Sequence, residues 1–234
     1  MNSFFEEFFL GIAKISKALD KNKIEEIVIH IKKIRRNNGR LFFLGVGGSA
    51  ANCSHAVNDF RKLCNIESFT PVDNISELTA RINDNGWDSS YENWLKVCNL
   101  KSKDGVFVFS VGGGNLKKNV SVNIVNALKY AKTKKCKIFG IVGKKGSFTE
   151  KIADSTILIP EINKSLITPE ELVEMEIIKS NISSDFSLID KELEDANNIY
   201  QFLIIEDHIF SENLITQGEE ILLKNKKFLN DVDE

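Results

Sequence analysis

Ile24, Ile27, Val28, Ile31 and Ile34 recur three and four residues apart, so they line one stripe of a helix over 23–37. Asn38-Gly39 stops it, because both residues tolerate the left-handed backbone that ends helices. Ahead of it, 3–19 reads as another amphipathic helix, with Phe4, Phe5, Phe8, Phe9 and Ile12 giving it an aromatic side. After Gly39 the pattern changes. Short continuous apolar runs appear at 41–44, 69–72, 106–109, 137–142 and 156–159 and read as buried strands. Helical spacing fills the intervals at 50–63, 75–82, 91–97, 116–132 and 148–153. Buried strands alternating with helices predict an α/β fold, a doubly wound parallel sheet flanked by helices, with N-terminal helices in front. Past Thr168-Pro169 only helical periodicity continues, as far as Lys224. The stretch 183–188 divides a domain over 1–182 from a C-terminal helical extension over 183–234.

Composition narrows the partners more than the fold. The chain has 234 residues, 42% of them hydrophobic, enough to bury a full core in one domain. A formal net charge of -2 carries no nucleic-acid footprint. No apolar run approaches the ~20 residues of a membrane span, so no membrane partner is expected. The Phe-rich N-terminus is interrupted by Glu6 and Glu7 and followed by no small-residue cleavage site, and it is read as a helix rather than a leader. Cys53, Cys64, Cys98 and Cys136 are scattered, which suits neither a zinc knuckle nor a disulfide framework. The expected location is cytoplasmic.

The first strand ends in "LFFLGVGGSAANCSH". A strand that enters a helix through Gly45-Val46-Gly47-Gly48-Ser49 leaves several backbone N–H groups at the helix start, aimed at one point and assisted by the helix dipole. Such a point binds an anion, most often phosphate. "VFVFSVGGGNLKKNV" repeats the design after a later strand, so two sets of backbone donors can meet on one rim of the sheet. Gly45-x-Gly47-x-x-Ala50 also fits a dinucleotide fingerprint, with Glu67 near the place of a ribose-binding acid. No Gly-Lys-Ser/Thr follows, which removes a P-loop nucleotide site. The plainest alternative is a tight strand-to-helix turn with no ligand.

"GVGGSAANCSHAVNDFRKL", followed by "ELTARINDNGWD" and "FVFSVGGGN", resembles the sugar isomerase (SIS) domain and, within it, the sedoheptulose 7-phosphate isomerase (phosphoheptose isomerase) group. The likeness spans about residues 1–180. It implies phosphate binding at Gly47, Gly48 and Ser49 and, in the second loop, at Ser110, Gly112, Gly113 and Asn115, with Asn83 and Asp84 on the substrate side. His55 matches the group's metal-ligating histidine. Asp59 stands where the group has a glutamate that serves as ligand and base, so the resemblance implies a divalent ion, zinc, on His55 and Asp59. The second loop departs from the group, whose loop is usually rich in Ser and Thr. The late helix departs further: "TPEELVEMEIIKSNISSDF" has no histidine where the group carries one as ligand and acid/base, and Leu172 and Ser180, or Glu171 and Lys179 after a one-residue slip, occupy the family positions.

His55 and Asp59 are four residues apart and therefore share a helix face. Aldose–ketose isomerisation needs a base near the carbon that loses its proton. Asp59, paired with His55, is read as that base; Glu171 or Glu174 could add a further ligand or base, but they read as residues facing solvent. A salt bridge to Arg61 or Lys62 is the structural reading of Asp59, and a metal-free pocket floor that of His55. His30 reads as structural and His208 as a surface residue. Two functions stay open: a phosphosugar isomerase acting on sedoheptulose 7-phosphate for surface-polysaccharide heptose, and a non-catalytic sugar-phosphate-binding protein with a regulatory or scaffolding role. The partner in either case is a phosphorylated sugar. The aromatic first helix and the family together point to a homotetramer or homodimer.

Overall fold

The computed structural model describes residues 2–161, with side chains from Phe9 onward. The boundary expected at 182, the helical extension and the late-helix positions lie outside the described residues. Two helices, α1 (Asn2–Ala18) and α2 (Lys21–Arg36), precede the sheet. Asp20 caps α2 by accepting from the N–H groups of Asn22 and Lys23, and Gly39 N–H returns to Ile34 O across the left-handed Asn38, the stop anticipated there. Then follow β1 (Leu41–Leu44), α3 (Gly48–Lys62), β2 (Ser68–Phe69), α4 (Ile75–Asn85), α5 (Trp87–Val97), β3 (Gly105–Ser110), α6 (Val122–Thr133), β4 (Lys137–Val142), α7 (Phe148–Ile152) and β5 (Ser155–Leu158).

All strand pairs are parallel, in the order β2-β1-β3-β4-β5. Side chains alternate across a strand, and both faces of this sheet are buried. Leu41, Phe43, Phe107, Phe109, Phe139 and Ile141 face α1, α2 and α3. Phe42, Leu44, Val106, Val108 and Ile138 face α4, α5 and α6. Phe43, Phe107 and Phe139 are in register across three strands, with neighbouring ring centroids 5.6 and 5.7 Å apart. Such aromatic ladders stabilise cross-strand pairs beyond the area they bury.

The order reverses between β1 and β3, the topological switch point where sheets of this kind open a crevice at their carboxyl edge. The opposite edge is tied structurally. Asp104, fully buried, accepts from the guanidinium and backbone N–H of Arg40 and from Lys101 N–H, the closest contact being 2.7 Å.

Two expectations shift. Strand β2 is two residues, because Thr70 to Asp73 already turn toward α4. The helix expected from 116 starts at 122. Asn115 and Val120 instead exchange two backbone hydrogen bonds across a turn, Asn115 Oδ1 accepts from Lys118 N–H, and Asn119 and Ser121 adopt left-handed backbone. Local side-chain-to-backbone bonds of this kind outcompete the helical preference of Leu and Lys.

Candidate active site at the sheet switch point

Gly45, Gly47 and Gly48 have separate duties in the first loop. A Cβ on Gly45 would lie 2.4 Å from Ser49 O, so only glycine lets the helix start sit against the strand end. Gly47 is the N-cap of α3 at φ +65° and ψ −128°, a glycine conformation, and it offers no side chain to cap the helix. Gly47 and Gly48 both face open space. The α3 N-terminus is thus open toward the crevice, with Ser49 buried beneath it.

The second loop is pinned from behind. Ser110 Oγ accepts from Gly113 N–H at 3.0 Å, which leaves its own hydroxyl proton to donate. Gly113 O accepts from both the N–H and the hydroxyl of Thr149, and Gly114 O from Phe148 N–H, so the start of α7 clamps the loop. Gly113 at φ +61° is buried against Ser147, and Gly112 is half-buried. Asn115 spends its side-chain oxygen on the 115–120 turn.

Helix capping separates this edge into two classes. Starts α2, α4 and α7 are capped by the side chains of Asp20, Asn74 and Ser147. Starts α3, α5 and α6, behind Gly47, Gly86 and Ser121, have no side-chain cap. Uncapped starts present N–H groups and the positive end of the helix dipole. Lys117, Lys118, Lys144 and Lys145 extend into solvent from the loops after β3 and β4, adding positive charge to the same rim.

His55 and Asp59 stand further along α3. Their Nε2 and Oδ2 are 3.0 Å apart; the imidazole is about one-fifth exposed and the carboxylate is buried. Asn58 Nδ2 approaches the other carboxylate oxygen at 3.3 Å. His55 follows Gly48 by seven residues, two turns, and so lies on the same face about 10.5 Å along the axis. Asn83 and Asp84 fall on the exposed last turn of α4, hydrogen-bonded to each other at 2.9 Å, beside the uncapped start of α5.

A metal needs more donors than the dyad gives. Two ligands on one helix make an incomplete zinc site, and no group of three His, Cys, Asp or Glu side chains stands together among the described residues. The described residues therefore do not fit a complete metal centre. The dinucleotide reading also fails. Glu67 is exposed and precedes β2, and its carbonyl accepts from Leu41 N–H at the beginning of β1, the end of the sheet away from the glycine loop.

Two site residues have no local signature in the sequence. Tyr91 of α5 donates its hydroxyl to Gly45 O at 2.6 Å and holds the first loop; burial pushes its phenol pKa up, which keeps it a donor. Thr149 does the corresponding work for the second loop. Their partners are 46 and 36 residues away in sequence. His30, half-buried against Phe139, is far from this chemistry in α2, and burial holds its pKa down.

A parallel sheet of this order, with two glycine loops at its switch point, is a fold of the sugar-isomerase type. No family model matches the chain. A protein of Thermoplasma volcanium named probable phosphoheptose isomerase is 31% identical over 179 residues, covering 73% of this chain and 86% of the relative. The phosphoheptose isomerase of Aliarcobacter butzleri is 27% identical over 156 residues, 64% of this chain and 77% of the relative. The solved phosphoheptose isomerase of Francisella tularensis superposes with a TM-score of 0.68 at 18% identity, over 78% of this chain and 96% of that one, a likeness of fold. The chain belongs to the phosphoheptose isomerase family. No helix among the described residues is long and apolar enough to cross a membrane.

Proposed function

We propose that the chain isomerises a seven-carbon sugar phosphate between ketose and aldose, with sedoheptulose 7-phosphate as the ketose. The observation that carries this reading is the placement of the His55–Asp59 pair on the helix whose open N-terminus forms the anion cradle. The exposed Ala51, with its small side chain, separates Gly48 from His55 on that face. A seven-carbon chain built of bonds of about 1.5 Å extends roughly 10 Å from its phosphate, comparable with the rise along α3 between residues 48 and 55. The family membership and the names of the relatives support the same substrate.

The reaction breaks the C1–H bond of the ketose and places its electron pair in a C1–C2 double bond while the C2 oxygen takes a proton. The resulting enediol then loses the O1 proton and gains one at C2. Sequence reasoning set Asp59 as the base. Its burial and its bond to His55 favour His55 as the group that meets the carbon, with Asp59 orienting the ring and stabilising its protonated form, as a carboxylate does for a catalytic histidine. The cradle takes the phosphate through the N–H groups at Gly47 and Gly48 and through the Ser110 loop. A protein that only bound the phosphate would need the cradle and not the pair.

Incubating the protein with a panel of ketose and aldose phosphates, with and without added divalent metal, tests this reading. Interconversion should be fastest for the seven-carbon pair; binding of a sugar phosphate with no turnover under either condition would make it a binding protein.

Self-association through α1 belongs to the same proposal. Phe9 and Leu10 are half exposed or more and Ile29 of α2 is 64% exposed, a share of apolar surface that closed homo-oligomers ordinarily cover. Sedimentation at micromolar concentration should show a dimer or tetramer, and a Phe9→Glu, Leu10→Lys variant a smaller species. A monomeric wild-type chain would contradict it.

A further inference from the structure

Asn123 is fully buried, and neither its carboxamide oxygen nor its nitrogen has a hydrogen-bond partner in the structure. An unpaired buried amide is costly, and an ordered water is the ordinary remedy. Its position is informative. Asn123 lies on the first turn of α6, three residues before Asn126 and four before Ala127, and so shares their face. Asn126 Nδ2 donates to Asp88 O in the first turn of α5 at 3.1 Å, and Ala127 packs in the core with Tyr91 and Leu95 of α5. On that spacing Asn123 stands on the face of α6 turned to α5, close to the starts of two helices that both lack a side-chain cap. Ser121, at the left-handed φ 49° and ψ 46°, makes no side-chain cap to α6, so that start stays open.

We propose that Asn123 is a positioning residue for the sugar phosphate: its amide, through one ordered water, holds the first turns of α5 and α6 at the spacing in which their open N–H groups meet the ligand. A water both donates and accepts. It can satisfy both carboxamide atoms and still bond peptide groups of the two helix starts. An anion would accept from the carboxamide nitrogen and leave its oxygen unpaired, whereas a water serves both; the phosphate stays in the cradle at α3 and Asn123 acts one layer behind. Tyr91 links this layer to the first loop through Gly45. The inference rests on the sugar-phosphate reading of the site.

Calorimetric titration of sedoheptulose 7-phosphate into wild type, Asn123→Leu and Asn123→Ser, with a thermal melt of each ligand-free protein, tests it. Leucine is close in size and removes the unpaired amide, and the peptide groups of the open helix starts take solvent in place of the lost water, so the exchange is nearly neutral for the fold. Asn123→Leu should therefore melt close to wild type yet bind about tenfold more weakly, the worth of one or two lost hydrogen bonds. Asn123→Ser keeps a hydroxyl and leaves room for a water, and should bind within about threefold of wild type. Unchanged affinity in Asn123→Leu would overturn the inference. So would failure of that variant to fold, or a parallel fall of melting temperature and affinity, since each marks a purely structural amide. A wild-type chain that binds no sugar phosphate would instead remove the reading of the site itself, and the inference with it.

Discussion

Gly48→Glu should abolish phosphate binding while leaving the fold intact. The Cβ at residue 48 meets nothing within 4 Å, so the longer side chain is accommodated. An acid in the first turn of a helix also interacts favourably with the dipole, by about 0.3–1 kcal/mol, so the melting temperature should hold or rise slightly. The same carboxylate sits where the phosphate charge belongs. A charge-assisted hydrogen bond is worth about 1.5–3 kcal/mol, and repulsion adds to its loss, so affinity for a sugar phosphate should fall by at least about 10²-fold. Calorimetry against sedoheptulose 7-phosphate and against inorganic phosphate reads this directly. Wild-type affinity in a stable Gly48→Glu protein would place the phosphate elsewhere.

Removing either member of the His55–Asp59 pair should act on rate rather than on binding. His55→Gln keeps a polar side chain and removes the base; a positioned general base contributes about 10²–10⁴-fold, and that is the expected fall in kcat, with KM within a few-fold of wild type. Asp59→Asn keeps the shape and removes the carboxylate that fixes the imidazole, and a similar fall is expected. Non-additivity is the sharper reading. Two residues that act as one unit lose little more when both are replaced than when one is, so the double variant should be about as slow as His55→Gln alone. Losses that multiply, or that appear equally in KM, would mark independent or structural roles.

How much of this was legible in the sequence depended on the range of the interactions. Strands 41–44 and 137–142 were readable to the residue because both sheet faces are buried and the runs are continuously apolar. The end of α2 was readable because Asn38-Gly39 carries its own backbone preference. The turn at 115–120 was not: Leu116, Lys117 and Lys118 favour helix, and only the Asn115 side chain and the left-handed Asn119 reverse that preference. At the site, the glycine loops and the four-residue spacing of His55 and Asp59 are local, so they could be named in advance. Tyr91 and Thr149 could not, because their loop partners come together only when the sheet assembles. Asn123 had one faint signal, a polar residue inside "VNIVNAL" where helical spacing wants a core side chain. The roles proposed for His55 and Asp59 also draw on burial, which spacing alone does not give.

Proton exchange tests the central claim most directly. Sedoheptulose 7-phosphate incubated with the protein in D2O and followed by NMR should yield an aldose heptose phosphate bearing one deuterium at C2, and His55→Gln should slow both its appearance and the exchange. Tight binding of sedoheptulose 7-phosphate with no deuterium incorporated at C1 or C2 and no aldose formed would contradict the account.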